Sequence, residues 1–182
     1  MQDFLRNRFK ERAVKAGATV LEVSDLTQAA RTIARVIGEK GGGMIVATPD
    51  LLNEPIFSKE FDQPLHPATD ELTVAGSAAG VSPGSFGIAE TGSVVYAAND
   101  RLDRLVAMLS PIHFALLYAG DIAPDLEVAG GKLKDLQMNQ GKRYVSFVTG
   151  PSRTADIERV LTIGVQGPKE LFIVLIDGES EK

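Results

Sequence analysis

The chain of 182 residues contains no cysteine, and its only histidines are His66 and His113. Without cysteine it can form no disulfide, has no thiol nucleophile, and cannot hold a zinc ion or an iron–sulfur cluster through thiolates. Two histidines are also too few for a metal site made of histidine alone. We therefore expect these residues to bind neither a metal nor a redox cofactor.

The sequence also lacks an excess of basic residues and any long apolar run. The formal net charge is −5 at pH 7, and with no basic patch to offset it this balance argues against binding to nucleic acid. No apolar stretch approaches the roughly 20 residues that a transmembrane helix needs. The N-terminus has no apolar core of a signal peptide. These absences predict a cytoplasmic protein without a membrane span.

What the sequence does contain is a series of short apolar runs that alternate with helical patterns. The runs, interpreted as strands, lie at 44–48, 72–75, 93–97, 112–119, 144–148 and 171–176. Most are continuous, as in strands that helices cover on both faces. The helical patterns lie at 1–17, between Asp25 and Gly41, and at 99–109, 124–137 and 153–161. This alternation predicts an α/β fold of three layers, with a mostly parallel sheet and helices on both faces.

The length predicts one domain over residues 1–182, with a helical N-terminal part at 1–40. Segment 49–90 contains five prolines, so we expect it to be rich in loops and to lie over one end of the sheet. The first helix carries Arg6, Lys10 and Lys15 on one face. An ordinary solvated terminal helix is the favoured interpretation of this basic face, and docking to a membrane surface or a partner is the alternative.

Ligands of open α/β sheets bind outside the carboxyl ends of the strands, so the residues that follow each apolar run are candidate ligand positions. These are Thr48-Pro49-Asp50, Gly120-Asp121, Thr149-Gly150-Pro151-Ser152 and Asp177-Gly178. The strongest local pattern is TGPSRTADIE at 149–158, where Ser152 or Thr154 could cap a helix after the Gly150-Pro151 turn. The N–H groups of such a helix start favour an anion, and Arg153 would add positive charge. A plain strand–turn–helix with a good cap gives the same pattern.

Three further features are candidates for a site. In GIAETGSVV (87–95), Glu90 could be a general acid/base or a nucleophile, and Thr91, Gly92 and Ser93 could contact a ligand; an exposed loop is the alternative. Gln166 in GVQGP (164–168) could hydrogen-bond a ligand or simply lie in a tight turn. His113, at the start of IHFALL, could be catalytic or a packed core histidine.

Four motifs in this order, GIAETGSVV, LSPIHFALL, TGPSRTADIE and GVQGPKELFIVLID, resemble the LUD-domain family, in particular its lactate-utilization protein C branch. The resemblance covers roughly residues 70–178. It implies a single LUD-type domain similar to the sugar-phosphate isomerase and CoA-transferase superfamily. It also implies a non-redox subunit that supports oxidation of L-lactate to pyruvate, with iron–sulfur clusters carried only by partner subunits.

The resemblance also implies a pocket for a small anionic ligand. Loops 90–93 and 150–154 would form its walls, with Glu90 as the candidate acid/base. This chain has Gln166 where the family usually has histidine, so a proton-transfer role at that position would be lost and a hydrogen-bonding role retained. The alternative function is a free-standing enzyme for a small phosphorylated or CoA/acyl substrate, with Glu90 as acid/base or nucleophile.

Overall fold

The computed structural model describes residues 2–141, 143–154, 162–164 and 167–180. Its helices are α1 Gln2–Lys15, α2 Leu26–Glu39, α3 Pro49–Leu52, α4 Pro55–Ser58, α5 Glu71–Ala75, α6 Arg101–Leu109 and α7 Leu126–Gln140. Its strands are β1 Thr19–Val23, β2 Ile45–Ala47, β3 His66–Pro67, β4 Ala79–Pro83, β5 Phe86–Ile88, β6 Ser93–Ala97, β7 Ile112–Tyr118, β8 Ile122–Ala123, β9 Val145–Val148, β10 Arg153–Thr154, β11 Thr162–Ile163 and β12 Glu170–Ile176. Within these ranges no helix combines the length and apolarity that crossing a bilayer requires.

The main sheet has six strands in the order β1-β12-β7-β4-β2-β3, and each pair of neighbours is parallel. Its longest pairing joins β12 to β7, from Glu170 opposite Ile112 to Ile176 opposite Tyr118. Both strands come from continuous apolar runs, as expected for strands without a solvent-facing side. The predicted mostly parallel sheet is confirmed.

Helices cover both faces of this sheet. Alternate residues of the central strands point to opposite sides and so pack against different helices. Phe114 and Leu116 of β7 belong to one core cluster, in which α2 contributes Ile33 and other buried side chains. Ala115 and Leu117 belong to a second cluster, in which α1 contributes Phe9 and Ala13. The three-layer prediction is therefore also confirmed.

Helix α2 begins and ends as the sequence predicts. The Asp25 carboxylate accepts a hydrogen bond of 2.8 Å from the Gln28 N–H, an N-cap that satisfies one free amide of the first turn. At the other end the chain passes through three glycines with positive φ, Gly41 to Gly43. Glycine adopts this backbone conformation without a steric penalty, so the helix stops there.

Two runs predicted for the sheet belong instead to a second, four-stranded sheet in the order β8-β5-β6-β9. In this sheet β6 is antiparallel to both β5 and β9. The prediction of a strand at 72–75 is wrong, because these residues form helix α5. Asp70 caps that helix by accepting a hydrogen bond from the Thr73 N–H, and only Val74 of the run is buried while Leu72 is exposed.

Segment 49–90, predicted to be rich in loops, contains short helices and strands. Pro49 and Pro55 each stand in the first turn of a helix, where the missing N–H of proline has no intrahelical partner to lose. Strand β4 from the same segment lies inside the main sheet between β7 and β2. The segment therefore supplies part of the sheet as well as part of its carboxyl edge.

The basic face of α1 packs against the main sheet through ion pairs. The Arg6 Nη2 lies 2.7 Å from Oε2 of Glu22 on β1, and its Nη1 lies 2.6 Å from Oδ1 of Asp177, just after β12. Lys10 also forms an ion pair with Glu22. These contacts hold the first helix on the sheet. Two of the three basic side chains that a membrane or partner would need are therefore engaged within the chain itself.

Candidate functional site

A large cavity lies at the carboxyl edge of the main sheet, between that sheet and the second one. It has a volume of about 840 Å³. The ends of β2 and β4 border it on one side, the ends of β5 and β6 on another, and helices α6 and α7 complete it. Its lining residues are Thr48, Asp50, Ser82, Pro83, Gly84, Ser85, Phe86, Tyr96, Ala97, Ala98, Asn99, Asp103, Lys132, Asp135, Leu136, Arg143 and Ser180. This is the position at which open parallel sheets bind ligands.

A buried pair of polar side chains lies beneath this cavity. Ser82, which lines it, shares a hydrogen bond of 2.8 Å between its Oγ and the Nε2 of His113 on the neighbouring strand β7. The His113 ring is fully buried and packs near the Tyr96 ring, with centroids 5.8 Å apart. Burial lowers the pKa of His113 to about 3, so the ring is neutral at physiological pH. His113 therefore orients Ser82 without contributing charge.

Buried polar atoms without a hydrogen-bond partner in the described part of the chain gather at the same cavity. Three of them belong to lining residues: Thr48 Oγ1, Arg143 Nε and Ser180 Oγ. Burial raises the pKa of Tyr96 more than its hydrogen bond to Ser82 lowers it, so this phenol stays protonated, and Ser82 in turn bonds His113. An unsatisfied buried donor costs about 1–3 kcal/mol, a cost that a bound molecule or water would remove. The cavity is thus lined with unused hydrogen-bonding capacity.

Charged side chains of opposite sign enter the cavity from different elements. Asp50 follows β2 and Asp103 lies on α6, whereas Lys132 lies on α7 and Arg143 follows that helix. Arg143 also donates a hydrogen bond of 3.1 Å to the Ala97 carbonyl oxygen. Burial raises the pKa of Asp103, and the nearby carboxylates of Asp100 and Asp50 add to the effect. Asp135 of α7 also lines the cavity, so a ligand meets carboxylates from α3, α6 and α7 together with the two cations.

A smaller cavity of about 240 Å³ continues along the same edge of the sheet. It shares Asp50, Pro83, Gly84 and Ser180 with the larger one. Its remaining lining is more apolar and comes from α2, α3 and the ends of β7 and β12: Leu26, Leu51, Glu54, Leu116, Tyr118 and Ile176. Together the two cavities follow the carboxyl ends of four parallel strands.

The structure brings together the two loops that the sequence predicts as pocket walls. The Ser93 hydroxyl lies 2.7 Å from that of Thr91 and 2.7 Å from that of Thr149, forming a hydroxyl chain between the loops. The last turn of α1 packs against both. A Cβ on Gly92 would lie 2.7 Å from Ala13 Cα, and one on Gly150 would lie 2.9 Å from the Ala16 carbonyl carbon. The end of α1 therefore lies against the backbone of both loops at Gly92 and Gly150, and the ligand pocket between the loops stays a prediction.

Glu90 lies at the surface beside the start of α7. Its Oε2 accepts a hydrogen bond of 3.1 Å from the Leu126 N–H, while Asp125 caps the same helix by accepting from the Val128 N–H. A carboxylate here satisfies a free amide and suits the positive end of the helix dipole. Glu90 does not line the large cavity. Its acid/base role remains a prediction.

The residues after Gly150 also contact α1. Arg153 donates a hydrogen bond of 2.6 Å to the Ala16 carbonyl oxygen, and Pro151 lies beside Gly17. Ser152 bonds through its backbone to Pro168 and Gly164. The helix predicted over 153–161 does not begin at Arg153, because Arg153–Thr154 pairs as a strand with Thr162–Ile163. Residues 155–161, Gln166 and the side chain of Thr154 lie outside the described residues.

Sequence reasoning found part of the cavity and missed the rest. Thr48 and Asp50, predicted from the carboxyl-edge rule, do line it, whereas Ser82, Tyr96, Lys132 and Arg143 were not identified. Strand β4 is built largely from small residues, so Ser82 has no apolar run before it to mark a strand end. The order Ser-Pro-Gly after a short strand is the one signal that could have indicated it. Among the described residues, no three carboxylate or histidine side chains gather to hold a metal ion.

Comparison with known proteins gives results consistent with this architecture. The family model described as LUD domain matches residues 6–176. A lactate utilization protein C from Anoxybacillus flavithermus is 29% identical over 97% of this chain and 82% of the relative. A protein of the same name from Oceanobacillus iheyensis is 28% identical over 66% of this chain and 54% of the relative.

A solved structure supports the fold. A DUF162 family protein from Deinococcus radiodurans has a TM-score of 0.72 to this chain at 16% identity, covering 97% of this chain and 98% of that protein. With the family model matching almost the whole length, the chain belongs to the LUD domain family.

Proposed function

We propose that this protein is a non-redox component of a lactate-utilization system that supports the oxidation of L-lactate to pyruvate. The observation that carries the proposal is the near full-length similarity to proteins named lactate utilization protein C. Local likeness of a single motif would support it less well, because one fold hosts many functions.

The chemistry of the reaction supports the division of labour. Oxidation of lactate to pyruvate removes two electrons and two protons from the substrate. Side chains can take up the protons, but an electron pair requires a redox group such as a flavin, a nicotinamide or a metal cluster. This chain has no cysteine with which to ligate an iron–sulfur cluster. In the proposal, partner subunits carry those clusters and accept the electrons.

Within such a system this chain would bind a small ligand and a partner subunit. We place the ligand in the large cavity, because α1 already packs against the loops at 92 and 150. A ligand between loops 90–93 and 150–154 would require the last turn of α1 to move. That displacement would expose Ala13, which is fully buried, to water.

A growth experiment tests the proposed role. The gene is deleted in the organism that encodes this chain, and growth on L-lactate is compared with growth on pyruvate as sole carbon source. The proposal predicts that growth on lactate is lost, that growth on pyruvate persists, and that a plasmid copy restores the former. Undiminished growth on lactate in the deletion strain, or an equal loss on both carbon sources, contradicts it.

A further inference from the structure

We propose that the large cavity binds an organic anion that carries several hydroxyl groups and is larger than lactate. The inference deepens the proposed function and rests on it for its physiological setting. It is carried by the size of the cavity, by the placement of its charges and by its unpaired hydroxyls.

The volume of the cavity exceeds what a three-carbon acid would fill. Pockets for drug-sized and cofactor-sized ligands measure about 300–1,000 Å³, and 840 Å³ lies in the upper part of that range. Lactate in this space would leave most of the lining facing water. A ligand that buries the lining must therefore have the size of a sugar phosphate or a mononucleotide.

The basic side chains indicate an anionic group. Lys132 and Arg143 line the cavity from α7 and from the segment that follows it. The Lys132 ammonium lies 5.8 Å from the centre of the Phe86 ring, another lining residue, so it stands above the cavity wall formed by β5. A phosphate or carboxylate between these two cations would gain charge-assisted hydrogen bonds, which are stronger than those between neutral groups.

The remaining polar groups indicate hydroxyls on the rest of the ligand. Asp50 and Asp103 lie close enough for their charges to interact, and carboxylates accept hydrogen bonds from ligand hydroxyls. The hydroxyls of Thr48 and Ser180 have no partner among the described residues and can both donate and accept, whereas the Tyr96 hydroxyl is already bonded to Ser82. These groups favour a ligand with hydroxyls over one without them, because a missing ligand hydroxyl would leave a buried polar group of the protein unpaired.

Titration calorimetry on the purified full chain tests the inference with named probes. AMP and ribose 5-phosphate carry an anion and hydroxyls, ribose carries hydroxyls alone, and L-lactate and inorganic phosphate are small anions. We expect AMP or ribose 5-phosphate to bind with a Kd below about 1 mM and at least about tenfold more tightly than the other three. Equal affinity for all five probes, or no binding of either phosphorylated probe, overturns the inference. So does binding of putrescine, a diamine, in preference to both.

A matched pair of variants on one helix locates the site. Lys132 lines the cavity, whereas Lys134 lies two residues away on α7, is exposed and does not line it. Lys132→Gln should weaken binding about tenfold, Lys132→Arg should preserve it, and Lys134→Gln should change it less than about twofold. Equal effects of Lys132→Gln and Lys134→Gln would indicate diffuse attraction to the surface and would refute the site.

The two proposals fail separately. If the phosphorylated probes bind and the deletion strain still grows on lactate, the ligand class stands and the lactate role falls. If growth on lactate depends on the gene and no probe binds, the role stands and the ligand class falls. Growth on lactate with the Lys132→Gln copy links the two, because a defect there requires both.

Discussion

The buried, neutral His113 makes the free energy of unfolding depend on pH in a way that one substitution isolates. The ring is fully buried, and burial lowers its pKa from 6.5 to about 3. In the unfolded chain the same ring takes up a proton near pH 6.5. The unfolded state therefore binds more protons than the native state between these two values, and acidification favours unfolding.

The magnitude follows from the size of the pKa shift. Each pH unit between about 6.5 and 3 removes about 1.4 kcal/mol of stability, and the full window of about 3.5 units removes about 5 kcal/mol. The contribution is fully present above pH 6.5 and is lost as the pH falls towards 3. His113→Gln cannot titrate, and its amide can still hydrogen-bond Ser82. The free energy of unfolding of the variant should not show this dependence on pH, even if the substitution changes its absolute value.

The assay is urea denaturation of both proteins at several pH values between 4.5 and 7, with the free energy of unfolding from linear extrapolation. The difference between the curves should change by about 1.4 kcal/mol per pH unit below pH 6. Carboxylates whose pKa is lowered, such as Glu22 and Asp70, titrate in both proteins and cancel. Parallel curves would refute the reasoning. If the variant does not fold, an NMR titration in which the folded His113 ring protonates near pH 6.5 would refute it equally.

Three further predictions follow from single contacts. Gly92→Ala should destabilise the protein by about 2 kcal/mol or more in urea, because its φ is +70° and the new Cβ would meet the backbone of α1; Gly42→Ala, with φ +71° and no neighbour within 4 Å, should cost only about 1 kcal/mol, and equal losses would contradict this account. Tyr96→Phe should weaken AMP binding while lowering the stability of the unliganded protein by about 1 kcal/mol at most, because Ser82, to which the hydroxyl bonds, keeps its hydrogen bond to His113; a loss of several kcal/mol would contradict this. Glu22→Gln removes the carboxylate from two cations of α1, but these groups are partly exposed, so thermal denaturation should show a loss of at most about 1 kcal/mol that shrinks in high salt, and a salt-independent loss would be inconsistent.

The main sheet and its helices could be predicted because their signals are local. Strands β7 and β12 are uninterrupted apolar runs, and α2 has an N-cap at Asp25 and a glycine stop. The second sheet could not be predicted, because β5 and β8 have only three and two residues and owe their pairing to distant segments. At 72–75 a capped, mostly exposed helix has the same apolar letters as a strand.

The site was predictable only where one strand end determines it. The carboxyl-edge rule indicated Thr48 and Asp50 from the strand that precedes them. Tyr96, Lys132 and Arg143 reach the cavity through the second sheet and α7, whose positions depend on packing over long sequence separations. The contact of α1 with the loops at 92 and 150 could not be predicted from the sequence either. It depends on small residues at the end of that helix, which pack against glycines about 80 and 130 positions away.

The central claim is that this chain is needed for lactate oxidation and does not carry out the electron transfer itself. The most direct measurement is L-lactate-dependent reduction of a redox dye in extracts of the deletion strain, with and without added purified chain. We predict no activity from the purified chain alone, none from the extract alone, and restored activity when the two are mixed. Lactate oxidation by the purified chain alone, or full activity in the extract without it, would contradict the account.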